Sequence, residues 1–254
     1  MVVDTSCCCM FKRFYLLGTR CTVLMALFLN SFFGKAQDKP SLSSYIINEE
    51  FESLSNWAEI AIYDKLTKYT IYTDDSTSHL EAKSNTSASL MMYNKEFNVY
   101  ENPKMKWRWK VENVYENGDL TSMTGDDYPL TIYVAFKYQP DSMDFFDKIS
   151  YKSWKTLIGR EPPHSMLRYV WANKKHIGKI HPTPYPPSSG KIIIKQQGCT
   201  NCGKWLEENL NILEDYRSAF GENPPQEAVI GFMNDSDNTG ESSVSYLDYI
   251  KIGK

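Results

Sequence analysis

Short apolar or alternating runs, each broken off by Gly, Pro, Asn, Asp or Ser, recur through most of this chain. They are Tyr69–Thr73, His79–Ser84, Ala88–Tyr93, Met105–Val111, Leu130–Phe136, Met166–Ala172, Lys191–Gln196, Ala228–Met233 and Ser245–Ile252. Runs of this length, bounded by turn formers, read as β-strands. Little helical spacing lies between them. That pattern predicts an all-β fold, an antiparallel β-sandwich of jelly-roll type, not a parallel α/β sheet. Neither a repeat nor a low-complexity linker divides residues 45–254, so they read as a single sandwich domain.

Period-two alternation assigns faces. In Met105–Val111, Met105, Trp107, Trp109 and Val111 share the side expected to be buried, and Lys106, Arg108 and Lys110 share the other. Leu130–Phe136 is apolar on both sides and reads as a central strand, with Tyr133 expected to face the same way as Arg108. One short helix is expected near 211–220. Asn211 and Glu214 have the spacing of a capping box, Leu213, Tyr216, Arg217 and Phe220 recur at helical spacing, and Gly221 is a natural stop. Leu213 and Phe220 are expected to be its buried residues.

The start of the chain reads as an export signal. Lys12, Arg13 and Arg20 precede the apolar run Cys21–Phe33, and Gly34-Lys35-Ala36 offers small residues to a signal peptidase. Residues 1–36 are therefore expected to be a signal peptide cleaved after Ala36, and 37–44 a disordered leader. No membrane span is expected after cleavage. Of the six cysteines, only Cys199 and Cys202 follow the leader. A zinc site needs about four ligands, so this pair is expected to form a small structural disulfide in an oxidising compartment.

A net charge of -3 argues against nucleic acid as a partner. The four His residues lack zinc-hydrolase spacing, and no nucleophile elbow or phosphate loop occurs. No catalytic residue is assigned. The most specific loop is Asp235-Ser-Asp237-Asn-Thr239-Gly240-Glu241. Its spacing begins like an EF-hand but has Tyr246 where a bidentate Glu is needed. Two readings remain: a structural calcium held by Asp235, Asp237 and Glu241, or a solvated turn in which Asp and Asn bond their own backbone. Gly125-Asp126-Asp127-Tyr128-Pro129 is a second acidic turn, suited to a cation or to pinning Arg108 or Arg217. Arg108, Lys110, Asp127, Tyr133 and Arg168 are the candidate ligand-binding residues, on one cationic, aromatic face suited to a glycan or other anionic ligand. The same charges would serve as internal pairs if the helix or the Asp141–Pro163 insertion covered that face.

Several motifs occur in a fixed order. They are Trp107-Arg-Trp-Lys-Val111, Gly125-Asp-Asp-Tyr-Pro129 with Tyr133-Val-Ala-Phe136, Tyr169-Val-Trp-Ala172, Glu214-Asp-Tyr-Arg-Ser-Ala-Phe-Gly221 with Pro224-Pro225, and the Asp235–Glu241 loop. Together they resemble an exported bacterial family known as domain of unknown function 3047, from about Ile47 onward. The resemblance implies a bacterial protein of the periplasm or exterior and brings no catalytic residues with it. The Cys199/Cys202 loop and the Asp141–Pro163 insertion are not part of that pattern. A weaker likeness is to jelly-roll carbohydrate-binding modules, carried by Asn48-Glu-Glu-Phe-Glu52 before Trp57 and by Leu247-Asp-Tyr-Ile250. It implies that the first and last strands help hold a structural calcium.

The function expected from these readings is a non-catalytic glycan- or surface-binding module. The alternative is a polysaccharide lyase or hydrolase on the same sandwich, with Tyr133, Arg108 and Asp127 as its working residues. A purely structural envelope protein is the third.

Overall fold

The computed structural model describes residues 45–73, 77–138, 163–184 and 189–254. The expected signal peptide 1–36, the leader 37–44 and nearly all of the Asp141–Pro163 insertion lie outside the described residues. In chain order the strands are β1 (Ile47–Glu49), β2 (Trp57–Ala61), β3 (Lys68–Thr73), β4 (Ser78–Asn85), β5 (Ser89–Tyr93), β6 (Phe97–Asn98), β7 (Lys104–Val111), β8 (Thr131–Phe136), β9 (Ser165–Ala172), β10 (Ile180–Pro182), β11 (Gly190–Gln197), β12 (Leu206–Asn211), β13 (Glu227–Met233) and β14 (Ser242–Gly253). Among the described residues, one α-helix, α1 (Ile212–Phe220), is present, between β12 and β13.

The strands form two sheets. A six-stranded sheet runs β12-β7-β14-β4-β3, with β1 also paired to β14. An eight-stranded sheet runs β10-β11-β9-β8-β13-β5-β2, with β6 also paired to β13. The expected β-sandwich is present, and every run read as a strand contributes one. Pairing is antiparallel except between β9 and β11, which are parallel. The reason is local: β10 reverses the chain and lies antiparallel to β11, so β11 enters beside β9 in the same direction. The first and last strands are neighbours, with Asn48 opposite Lys251.

The core lies between the sheets. Trp107 and Trp109 of β7 are fully buried. They meet Tyr169 and Trp171 of β9 across the sandwich, each pair with ring centroids 5.6 Å apart. Ile132, Val134 and Phe136 of β8 join the same core, which leaves Tyr133 on the opposite side of that strand. The outer surface of the eight-stranded sheet is partly covered in turn. Leu120 and Tyr128, from the connection after β7, pack on Val170, Ala172, Ile192 and Ile194.

Helix α1 starts where the capping pattern places it. The Asn211 side chain accepts from the backbone N–H of Leu213 and Glu214 and donates to Glu214. Gly221 closes the helix at φ 78°, a left-handed value that glycine tolerates. Its fully buried residues are Ile212 and Tyr216, not Leu213 and Phe220, which are only partly buried. The cap at Asn211 makes Ile212 the first helical residue, and that sets the inward stripe. Tyr216 packs edge-on against Phe136 at 4.7 Å and bonds the Ser165 hydroxyl at 2.9 Å.

Candidate functional site

Two places in the sandwich carry chemistry, and they are on different surfaces. The first is an acidic cluster where the β13–β14 turn meets the segment before β8. A 3-10 turn at Met123–Gly125 delivers Asp126 and Asp127 there. Gly125 is required, because a Cβ would stand 2.7 Å from the Asp119 backbone nitrogen. The two acidic turns then lock together. The Asp235 N–H donates to the Tyr128 carbonyl, and the Tyr128 N–H donates to Asp235 Oδ1 at 3.1 Å. Asp127 accepts from the backbone N–H of Asn238 and, at 2.6 Å, of Thr239.

As a result, Asp127, Asp235 and Asp237 each present a carboxylate oxygen within 4.8 Å of the others. Asp127 joins them although it lies far away in sequence. Glu241 is directed elsewhere. Its two oxygens accept the backbone N–H groups of Glu116 and Asn117, both at 2.9 Å, and so anchor the connection after β7. Strand β1 pairs with the far end of β14, at Ile250–Ile252, and so lies away from this cluster, contrary to the expectation drawn from the carbohydrate-binding likeness.

The electrostatics follow from crowding in a dry place. Burial, then the neighbouring Asp127 carboxylate, pushes Asp235 well above the usual carboxylate range. Burial also raises Asp127, against the lowering effect of the Thr239 and Asn238 N–H groups. Asp237 is raised by burial as well. Three oxygen donors of like charge, each resisting ionisation, suit a hard cation such as calcium.

Beside the cluster, Arg168 Nη1 donates to Asp126 Oδ2, and the Tyr128 hydroxyl donates to Asp126 Oδ1 at 2.9 Å. The guanidinium lies over the rings of Tyr128, at 5.1 Å, and Tyr133, at 5.7 Å. The acidic turn thus pins Arg168. The two arginines expected in that role are engaged elsewhere: Arg108 with Asp248, and Arg217 with Asn223.

The five candidate ligand-binding residues are divided between two surfaces. Arg108 and Lys110 point outward from the six-stranded sheet, between the inward Trp107, Trp109 and Val111. Tyr133 and Arg168 point outward from the eight-stranded sheet, on the far side of the sandwich, and are buried there. Asp127 lies with Asp235 near that second surface. Alternation along β7 and β8 was read correctly, but alternation cannot say which sheet a strand enters.

The second place is the outer face of the six-stranded sheet. Tyr72 and His79 stack at 5.8 Å, and His79 meets Tyr246 at 5.8 Å and Trp205 at 6.1 Å. Arg108 lies over the Trp205 ring at 5.1 Å, and Lys110 over Tyr246 at 4.2 Å. Further along, Lys106 and Lys251 lie over Tyr45 and Tyr249. Most of these aromatic residues were missed from sequence. Tyr246 and Tyr249 should sit on opposite sides of a regular strand. A bulge at Asp248 shifts the register between Leu247 and Tyr249, so both face outward, Tyr246 opposite Lys110 and Tyr249 opposite Arg108. A polar residue breaking the apolar run at Asp248 is the one sequence signal of it. Trp205 stands just before an edge strand, with no periodic context to place it.

The Cys199 and Cys202 sulfurs are joined in the loop between β11 and β12. Among the described residues, no helix is long and apolar enough to cross a membrane.

No curated protein matches the chain in sequence. Solved structures that resemble it are distant. The family 11 carbohydrate-binding module of the cellulosomal cellulase Lic26A-Cel5E of Clostridium thermocellum is 10% identical, with 84% of this chain and 95% of that one covered at a TM-score of 0.39. The K3 cleaved adhesin domain of Lys-gingipain from Porphyromonas gingivalis W83 is 9% identical, covering 83% and 99%, at a TM-score of 0.40. The enzymatically active domain of tailspike protein 4 from bacteriophage CBA120 is 11% identical at a TM-score of 0.37; 80% of this chain is covered, but only 20% of that one. These likenesses do not bear on what this chain binds. In sequence, the model of the family described as Protein of unknown function (DUF3047) matches residues 55–251, and the chain belongs to that family.

Proposed function

We propose that this chain is an exported glycan-binding β-sandwich that holds its ligand across the outer face of the six-stranded sheet. The observation that carries this reading is the set of Tyr72, His79, Trp205, Tyr246 and Tyr249 side chains interleaved with Lys106, Arg108 and Lys110 on one sheet surface. Aromatic rings offer flat apolar area at low entropic cost, and the polar residues beside them supply directed hydrogen bonds. The C–H face and the hydroxyl rim of a sugar ring match that combination. The role is binding, without bond cleavage.

Asp127, Asp235 and Asp237 are assigned a structural calcium in the same proposal. It would tie the β13–β14 turn to the segment before β8 and serve stability, not chemistry. The leader motif and the Cys199–Cys202 bond support export.

Affinity electrophoresis of the secreted form through gels containing soluble polysaccharides tests the reading. At least one polysaccharide should retard the wild type, and Trp205→Ala should remove the retardation. Ile177→Ala, at a fully exposed residue outside this face, should leave it intact. Equal retardation of wild type and Trp205→Ala would move the site elsewhere. Mass spectrometry should find Gln37 at or near the mature N-terminus, and retention of the Cys21–Phe33 run would rule out the cleavage.

A further inference from the structure

The outer face of the six-stranded sheet has an additional property: four of its cations are already paired with carboxylates. Arg108 Nη1 meets Asp248 Oδ2 at 2.8 Å, Lys110 meets Glu112 at 2.8 Å, and Lys83 meets Glu81 at 2.7 Å. Lys251 is paired with Glu50, and the Tyr249 hydroxyl donates to Glu207. Lys106 lies between the rings of Tyr45, at 5.4 Å, and Tyr249, at 5.7 Å. Four cations, Lys83, Arg108, Lys110 and Lys251, therefore have carboxylate partners, and Lys106 is held by rings. Lys68, opposite Lys83, and Lys104, opposite Gly253, add two further cations on the outward side.

The register spreads this mixed chemistry in rows across the strands. Thr70, Glu81, Tyr246 and Lys110 stand opposite one another on β3, β4, β14 and β7. Asn48, Lys251, Lys106 and Asn209 do the same on β1, β14, β7 and β12. From β3 to β12 there are four interstrand steps, about 19 Å at the usual spacing of ~4.8 Å. That is the length of a chain of sugars, not of a single one.

We infer that the ligand of this face is an uncharged oligosaccharide or polysaccharide chain, an inference that rests on the glycan-binding reading above. A uronate or sulfate approaching Arg108 or Lys110 would face Asp248 or Glu112 at close range. A neutral hydroxyl is at once donor and acceptor. It fits between a cation and a carboxylate without breaking the pair. Asn209 and Thr70 add neutral polar groups of the same kind. Each aromatic ring supplies a platform that asks for no charge.

Isothermal titration calorimetry of the full secreted protein separates the cases. The probes are soluble neutral polysaccharides (galactomannan, xyloglucan and a mixed-linkage β-glucan) and polyuronates (alginate and polygalacturonate). Each is run at roughly 20 mM and roughly 500 mM sodium chloride, which spans weak to strong screening. The expected result is binding to a neutral polymer with less than about a twofold change in Kd between the salts. Trp205→Ala and Tyr246→Ala, each confirmed as folded by its melting curve, should weaken binding by about tenfold or more, the scale of losing one aromatic anchor. Binding to polyuronates alone, falling steeply with salt, would overturn the neutral assignment while leaving the glycan reading in place. Failure of both classes, or binding unchanged in both aromatic variants, would overturn the glycan reading and this inference with it.

Discussion

Arg168 Nη1 donates to Asp126 Oδ2 at 2.7 Å, with the two side chains only 6% and 4% exposed. A guanidinium this deep needs its carboxylate. Removing one member of a buried pair typically costs about 3–5 kcal/mol, because the other charge is left without compensation. Asp126→Ala should lower unfolding free energy by that amount in urea titration. The double variant Asp126→Ala with Arg168→Met should recover much of the loss. A double variant as unstable as the single one would show that the pair does not act as a unit.

Trp107 and Trp109 form an edge-to-face pair at 5.4 Å in the middle of the core. Replacing either with Ala should cost about 3–5 kcal/mol, read from chemical denaturation. The indole fluorescence lost in each variant should be the part that a soluble quencher does not reach in the wild type. A loss well below that range would mean the core collapses around the missing ring.

Calcium should raise the melting temperature, as any ligand specific to the folded state does. Asp237→Ala and Asp127→Asn should abolish the response. Glu241→Ala should lower the melting temperature yet keep the response, since Glu241 holds the Glu116 and Asn117 N–H groups and stands outside the cluster. Elemental analysis showing no metal, with melting unchanged by calcium and by chelation, would leave a hydrogen-bonded acidic turn.

The cluster also fixes a pH dependence. Asp127, Asp235 and Asp237 titrate above the ordinary carboxylate value of about 3.9 when folded. The folded chain therefore holds protons that the unfolded chain has released. In chelator, their stabilising contribution is complete below about pH 3.9 and is lost as pH rises through the folded values. Calcium competes with those protons, so the rise in melting temperature it produces should be larger at about pH 8 than at about pH 5. An equal rise at both would place the cation away from these carboxylates.

What could be read in advance depended on how local the signal was. The runs through Trp107, Tyr169 and Ile250 are apolar and bounded by turn formers, so each strand was legible, and for the Trp107 run its inward side too. Strand β12 was not. Its sequence Leu-Glu-Glu-Asn-Leu-Asn is polar, and at a sheet edge only Leu206 and Leu210 need to touch the core. Short β10 at the other sheet's edge escaped for a similar reason. Of the acidic cluster, Asp235 and Asp237 announced themselves by spacing. Asp127 reaches them through the pairing of Tyr128 with Asp235 and through its own bonds to Asn238 and Thr239, contacts that span 107 to 112 residues of sequence. The division of Arg108 from Tyr133 rests on which sheet each strand joins, and no local pattern encodes that.

Strand β14 is hydrogen-bonded to β4 and β1 along one side and to β7 along the other. All three partners are made long before it. The ribosome must pass Gly253 before the six-stranded sheet has its middle. Until then β7 with β12, β4 with β3, and β1 are separate pieces with nothing to join them. Folding that waits on such distant partners is slow. The export proposed above would be served by this order of assembly, because a chain still open is one that a narrow translocation channel can thread.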